Sequence, residues 1–228
     1  MSGPASIIGA AAVRVAKLTA NGTPDFNNPL GGFVLCGGIS TFEHDFETED
    51  GADLFEEDAM GNACVVRKKP DRTKRATFTL TMCRSDYRLN EILGISTNVT
   101  SGQNVVGHAV RTNAGCGTSV TPNGVSIELW SEQWDCDVPL ASSQYQRVIL
   151  PRCYLTPAGF TRENGVSMPV FNGFSVSNNN WGDGPFGDAD VLTGITSWCY
   201  AEIDDTQLPG YCQQGQTTGY VNIPGSAS

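Results

Sequence analysis

The side chains that most often carry catalysis are scarce in this chain. Its two histidines are His44 and His108, and neither lies in a nucleophile or metal motif. The sequence has no Gly-x-Ser-x-Gly, no His-Glu-x-x-His and no phosphate-binding glycine loop. Carboxylates are numerous enough for a glycosidase-like acid/base pair to arise by chance, and that alternative stays open. The sequence predicts a protein that is not an enzyme and that needs no cofactor.

Oxygen-rich segments raise a second possibility, a divalent-cation site. The acidic run at residues 43–58 lacks the central glycine and terminal glutamate of a calcium loop. Asp183, Asp188 and Asp190 could ligate a cation, but Gly-Asp-Gly is more often a turn. We therefore predict no metal site at either place.

Eight cysteines are an unusual number, and none forms a Cys-x-x-Cys. Zinc binding and thioredoxin-like chemistry have little support as a result. The irregular spacing fits buried free thiols or up to four disulfides, which allow 105 connectivities. We expect mostly free thiols, with Cys199 and Cys212 the pair most suited to form a bridge.

Charge is distributed very unevenly along the chain. Nine of the sixteen residues at 43–58 are acidic, namely Glu43, Asp45, Glu47, Glu49, Asp50, Asp53, Glu56, Glu57 and Asp58. Six of the fourteen basic residues follow soon after, namely Arg67, Lys68, Lys69, Arg72, Lys74 and Arg75. One interpretation is a solvated loop beside a solvated strand end. The other is electrostatic complementarity between copies, which would set register and orientation.

The bulk properties indicate a single globular, turn-rich domain. The chain has 228 residues and 39% hydrophobic residues, with 26 glycines and 12 prolines in short clusters. The net charge of −10 argues against a protein that grips nucleic-acid phosphates. No run is long enough for a membrane span. Residues 6–13 imitate a signal-peptide core but lack a preceding basic residue, so we predict no cleaved signal.

Hydrophobic periodicity predicts a mainly β protein with one short helix and long loops. Residues 75–83 alternate most clearly, with apolar side chains at every second position. A short helix is expected after Ser85, ending at Gly94. Two strands at 146–155 and 169–176 should flank a turn at Pro157-Ala158-Gly159, and residues 206–228 should form a loose tail.

Several segments, in this order, resemble one protein family. The stretch at 145–188 contains a strand with an internal Pro-Arg and a Glu-Asn-Gly loop. The motifs Pro-x-Phe-x-Gly and Asn-Trp-Gly-Asp-Gly-Pro follow in that order. Further similarity lies in Val-Arg-Val-Ala-Lys-Leu at 13–18, in Pro-Asp-Arg-Thr-Lys-Arg at 70–75 and in Pro-Asn-Gly-Val-Ser-Ile-Glu-Leu-Trp at 122–130. Together they resemble the major tail tube proteins of long, non-contractile-tailed phages that infect actinobacteria.

That resemblance implies a tail-tube-type β-sandwich or barrel whose subunits form hexameric rings stacked into the tail tube of a virion. It implies assembly in the host bacterial cytoplasm with tape measure, tail terminator and tail tip proteins as partners. Double-stranded DNA would pass through without adhering, and the region at 43–75 would include a hairpin loop that reaches the adjacent ring. Residues 1–200 would be the tube domain and residues 201–228 an extension that is loose or ordered by neighbours. Most of the cysteines lie outside the matched motifs.

A different class of function remains an alternative. A β-sandwich stapled by disulfides could recognise a glycan or a protein on a cell or virion surface. Trp130, Trp134 and Trp181, if exposed, would provide the stacking platform for such recognition.

Overall fold

Strands dominate the computed structural model of the protein. It describes residues 6–25, 31–57, 59–60, 63–83, 86–93, 96–102, 104–110, 124–135, 138–139, 145–163, 166–182, 184, 186, 201–205, 209, 212 and 218–221. The strands are β1 (Ser6–Lys17), β2 (Gly32–Cys36), β3 (Ile39–Glu49), β4 (Asp53–Glu57), β5 (Ala63–Lys68), β6 (Arg72–Met82), β7 (Ser96–Ser101), β8 (Asn104–Val110), β9 (Val125–Asp135), β10 (Val138–Pro139), β11 (Tyr145–Glu163), β12 (Val166–Ser175), β13 (Ala201–Asp205) and β14 (Thr218–Val221). The described residues also include the helix α1 (Tyr87–Ile92). The predicted mainly β fold is confirmed.

One antiparallel sheet contains most of the strands, in the order β14-β2-β1-β9-β11-β12-β6-β3. The long strand β11 belongs to two parts of it. Its first half pairs with β9 on one side and β13 on the other, and its second half pairs with β12. We call β14, β2, β1, β9, the first half of β11 and β13 the first layer. The second layer comprises residues 154–163 of β11 with β12, β6 and β3.

The chain passes between the layers a second time where β2 becomes β3. Gly37 and Gly38 both have positive φ, of 69° and 78°, a conformation that glycine adopts without steric cost. Cys36 pairs with Ala12 of the first layer, whereas Ile39 pairs with Met82 of the second. The Gly37 N–H also donates to the Ala11 carbonyl at 2.7 Å. This glycine pair therefore turns one continuous stretch of chain from the first layer into the second.

Alternating side chains of both layers meet in a single apolar core. The first layer contributes Val13, Phe33 and Ile127, and the second contributes Leu80 and Phe171, all of them buried. Burying one such side chain contributes about 1.5–3 kcal/mol relative to leaving it in water. Because one cluster holds side chains from both layers, the sheet is folded on itself with its apolar faces together.

The helix α1 covers one end of this core with Leu89 and Ile92. Its N-cap is Asp86 rather than the expected Ser85, and the Asp86 carboxylate accepts the Arg88 backbone N–H at 2.9 Å. Burial tends to raise the pKa of Asp86, but hydrogen bonds and charge from Arg88 outweigh it and hold the pKa below its usual value. The predicted end at Gly94 lies outside the described residues.

Two expectations about the strands are wrong. Residues 157–159 are not a turn, because β11 runs on to Glu163 and the pairing with β12 shifts register between Pro157 and Gly159. That shift is a β-bulge, which accommodates proline and a positive-φ glycine within a strand.

The loose extension expected at 201–228 is also corrected. Its described parts include β13, which pairs with β11, and β14, which pairs with β2. Both strands belong to the main sheet, so backbone hydrogen bonds hold this part of the chain against the rest of the fold.

Gly173 offers a test of the packing between β12 and β6. A Cβ built on Gly173 would lie 2.5–3.0 Å from the ring of Phe78, so alanine requires that buried ring to move. We expect Gly173→Ala to lower the free energy of unfolding by about 1–3 kcal/mol, measured by chemical denaturation. Gly107→Ala is the matched control, because a Cβ at Gly107 meets nothing within 4 Å. Equal stabilities for the two variants would contradict this packing.

Candidate functional site

The outer face of the second layer is polar, although the opposite face packs into the core. On β6, Thr77, Thr79 and Thr81 alternate with core residues and are half-buried. On the same face, Asn172 of β12 accepts a hydrogen bond from the Thr79 hydroxyl at 3.2 Å through its Oδ1. The Thr156 hydroxyl of β11 donates to the Asn172 carbonyl at 3.3 Å. Short hydroxyl and amide groups thus satisfy one another across the face.

A row of charged and aromatic side chains crosses one end of this face. The Arg75 guanidinium binds the Glu47 carboxylate and lies 4.6 Å from the ring centroid of Phe174. Phe174 stacks on Tyr154 at 5.3 Å, and the Arg152 guanidinium lies 5.6 Å from the Tyr154 ring. Cation–π contacts and the ion pair therefore connect all four strands of the second layer.

The pKa of Glu47 reflects its place in this row. The hydrogen bond from Arg75 lowers the pKa of the Glu47 carboxyl below its usual value, and the charge of Lys74, at 3.4 Å, acts in the same direction. Glu47 is thus paired within its own chain. Part of the complementarity between the acidic and basic runs is therefore satisfied within one chain.

Both edges of the second layer are open in the part of the chain that the structure describes. No described strand pairs with β3 on the side away from β6, and none pairs with residues 154–163 of β11 on the side away from β12. β3 is eleven residues long. Unpaired backbone N–H and C=O groups on such an edge can accept a strand from another chain.

The acidic run is therefore mostly strand and not the loop that its composition suggested. Four of the predicted contact residues lie on β3, namely Glu43, Asp45, Glu47 and Glu49, and Asp50 follows directly. Three lie on β4 (Asp53, Glu56 and Glu57), and Asp58 lies outside the described residues. Of the basic residues, Arg67 and Lys68 lie on β5, Lys69 follows it, and Arg72, Lys74 and Arg75 lie on β6.

The β4–β5 hairpin follows β3 and precedes β6 in the sequence, and it forms a separate two-stranded sheet. At its base, Gly51 donates its N–H to the Asp71 carboxylate at 2.9 Å, and a Cβ on Gly51 would lie 1.7 Å from the Lys69 carbonyl oxygen. Only glycine fits there. The hairpin exposes the large apolar side chains Phe55 and Met60, to 59% and 89%. Exposed apolar groups of this size suit a contact with another molecule.

The predicted disulfide is wrong. Cys212 bonds to Cys36 and so cannot bond to Cys199, which lies outside the described residues. The bridge joins residues 176 positions apart in the sequence, a pairing that spacing alone could not suggest. Cys83 and Cys153 are free thiols, exposed and buried respectively.

The tryptophan platform that a binding module would need is not formed as predicted. Trp130 and Trp181 are buried, and Trp134 is half-buried with its indole N–H donated to Glu132 at 3.1 Å. A cleft of about 380 Å³ does lie between the start of β3 and the first layer, lined by Phe42, Glu43, His44, Ser131 and Gln146 among others. It borders the open edge of β3.

A buried ion cluster lies on the face of the first layer away from the core. The Glu128 carboxylate binds Arg14, with an Nε–Oε2 distance of 2.6 Å, and Arg147 at 3.3 Å. Both guanidinium groups lie 5.1 Å from the ring centroid of Trp130. Sequence reasoning missed this cluster, because charged residues that alternate with apolar ones normally predict a solvated face. No local signal shows that the face is covered.

Described residues contain no group of three or more His, Cys, Asp or Glu side chains that could hold a metal ion. They also contain no helix with the length and apolarity needed to cross a membrane. Comparison with protein-family models and with curated proteins finds no match.

The ion cluster gives a prediction about stability. Glu128→Gln keeps the shape of the side chain but leaves Arg14 and Arg147 without this buried counter-charge. We expect it to lower the free energy of unfolding by about 3–5 kcal/mol, measured by denaturant titration. Glu132→Gln, on the same strand and half-buried, is the control and should change stability by no more than about 0.5 kcal/mol. A Glu128→Gln variant as stable as the control would contradict the role of the cluster.

Proposed function

We propose that this protein is a structural virion subunit that self-assembles into stacked hexameric rings, forming the tail tube through which a phage genome is ejected. The observation that carries this proposal is the pair of long edges, on opposite sides of the four-stranded second layer, with which no described strand pairs. The family resemblance of the sequence motifs supplies the hexameric ring and the tail tube. The geometry of the edges supports association in a closed ring.

The strand directions favour head-to-tail association. The four strands of the second layer alternate in direction, since each neighbouring pair is antiparallel. With an even number of alternating strands, the first strand of one subunit runs antiparallel to the last strand of the next. The open side of β11 in one copy can therefore pair with β3 of its neighbour, and the ladder continues around a ring.

The charges of the edges oppose the symmetric alternative. Glu43, Asp45, Glu47 and Glu49 all lie on β3, so two β3 edges brought together would juxtapose like charges. Residues 154–163 contain one basic and one acidic residue in sequence and carry no net charge. Pairing between unlike edges is favoured, and a heterologous contact of this kind builds rings rather than two-fold dimers.

The polar outer face of the second layer suits the lumen of such a tube. Its threonines and Asn172 bond to one another, and its Arg75 is paired with Glu47. Clustered free cations are what hold DNA phosphates. A surface of hydroxyls and acids, on a chain with net charge −10, would let double-stranded DNA pass without adhering.

The β4–β5 hairpin is the element that we assign to stacking between rings. It combines exposed Phe55 and Met60 with charges of both signs from β4 and β5. Apolar anchors within a charged rim are the usual composition of a specific contact. Tape measure, tail terminator and tail tip proteins would be the further partners, and the virion tail the location, as the resemblance implies.

The edge contact can be tested at His44. His44 lies in the middle of β3. Proline has no backbone N–H, and within an edge strand it opposes pairing with a strand from another chain. We expect His44→Pro to abolish rings and tubes in negative-stain electron microscopy while costing about 1 kcal/mol of stability.

His44→Ala is the matched control for that variant. It removes the same imidazole but keeps the backbone N–H, and it should assemble as the unmodified protein does. Normal tubes from His44→Pro would exclude β3 as the ring contact. An unmodified protein that stays monomeric at every concentration and binds glycans would instead favour the binding module.

The stacking contact can be tested on the hairpin itself at Asp53 and Glu56 of β4, which are exposed. The acidic residues of β3 are left unchanged, because that strand is assigned to the ring contact. We expect Asp53→Lys/Glu56→Lys to raise the protein concentration needed for tubes roughly tenfold, since exposed charge pairs contribute about 0.2–1 kcal/mol each. Sedimentation would measure this, with unfolding unaffected. Neutral Asp53→Asn/Glu56→Gln should have an intermediate effect, and tubes of normal length from the Lys variant would contradict the assignment.

A further inference from the structure

The strand β2 has the composition of an aggregation-prone edge. Its five residues, Gly-Phe-Val-Leu-Cys, contain no charge and no proline. Phe33 and Leu35 face the core, and Val34 is buried on the opposite face. Short uncharged segments with high β propensity pair readily with copies of themselves when an edge is free. The side of β2 opposite β1 therefore needs cover if copies of the chain are not to pair there.

That cover comes from the last described strand of the chain. β14 pairs with β2 from Thr218↔Leu35 to Val221↔Gly32, which spans four of the five residues of β2. At the other side of the first layer, β13 pairs with residues 145–149 of β11. The two outermost strands of the first layer thus come from the C-terminal part of the chain. These strands have only four and five residues, and short edge strands recruit other chains poorly.

We propose that the C-terminal strands β13 and β14 are an edge guard that confines self-association to the second layer. With β13 and β14 in place, the longest edges of the main sheet left unpaired among the described residues are β3 and residues 154–163 of β11. β3 carries acidic side chains that oppose pairing with itself, whereas β2 has no such protection. The guard prevents pairing at β2 by occupying the strand position that a second copy would take.

The disulfide holds this guard in position. Cys36 ends β2, and Cys212 lies six residues before β14 begins, so the bond holds Cys212 at the end of the strand that β14 covers. A strand of four residues has few hydrogen bonds of its own and would open often without a tether. The bond raises the effective concentration of β14 at the β2 edge.

The test uses the full chain with two substitutions in β14. Neighbouring residues of a strand direct their N–H groups to opposite sides, so Gly219→Pro/Tyr220→Pro removes at least one hydrogen bond to β2. We expect amide exchange of residues 32–36 on the order of tenfold faster than in the unmodified protein. We also expect irregular aggregates at concentrations where the unmodified protein forms none. Gly219→Ala/Tyr220→Phe keeps both N–H groups and is the matched control.

Exchange of β6 serves as the internal reference, because it reports on the core and should not change. If the proline variant does not fold, Cys36→Ser/Cys212→Ser decides the matter, since it keeps β14 and removes only the tether. That variant should show faster exchange at residues 32–36 together with unchanged exchange in β6. Unchanged exchange and unchanged association in the variants would overturn the edge guard.

These outcomes are independent of the tail-tube proposal. The exchange and aggregation of the unassembled subunit are measured whether or not it forms rings. If His44→Pro forms no tubes while the amides of β2 keep their normal protection from exchange, the result concerns only the second layer.

Discussion

The backbone hydrogen bonds of β11 are the constraint on which the other features depend. Within one strand, residues 145–153 pair with β9 and residues 153–163 pair with β12. Cys153 pairs on both sides, with Val125 and Ser175, and marks the place where the two layers share the strand. Each half has to bury its apolar side chains against the other layer, and so the sheet folds on itself. Because β9 begins at Val125, opposite Cys153, no described strand pairs with the second half on that side.

Edges then decide how the molecule can associate. A sheet folded in this way has two layers, and the outermost strands of each layer must be short, charged, covered or paired with another chain. The first layer ends in short strands from the C-terminal segment, one of them tethered by the Cys36–Cys212 bond. The second layer ends in long strands that carry acids on one side and no net charge on the other. Unequal edges on one layer suit head-to-tail rings, and covered edges on the other limit competing contacts.

Charge is used in two opposite ways in the two layers. On the outer face of the second layer, Glu47 and Arg75 are partly exposed, and their pairing contributes little because water screens it. On the outer face of the first layer, Glu128, Arg14 and Arg147 are buried together with Trp130. Breaking that cluster leaves charge without water, a large cost. The same residue types thus contribute little to stability on the exposed face of the second layer and fix the side-chain packing on the buried face of the first.

Local sequence pattern was sufficient for much of the fold. The alternation at residues 75–83 predicted β6 and its core face, since a strand directs side chains to opposite sides with period two. The helix was expected near its observed position, displaced by one residue at the cap because Asp86 also gains an ion pair with Arg88. Composition placed the acidic residues at the surface, because unpaired carboxylates are costly to bury.

Only the tertiary structure decided what depends on partners distant in sequence. The pattern around Arg14, Glu128 and Trp130 predicts an exposed face, because the groups that cover it, such as the Phe186 ring 4.0 Å from the Arg14 guanidinium, are distant in sequence. Cys36 and Cys212 are 176 positions apart, and spacing cannot rank one such pairing above the others. β14 looked like loose tail because four residues form a strand only when an edge such as β2 is there to accept them. The edges of a sheet, and hence the contacts open to other copies, exist only once the strands have been ordered.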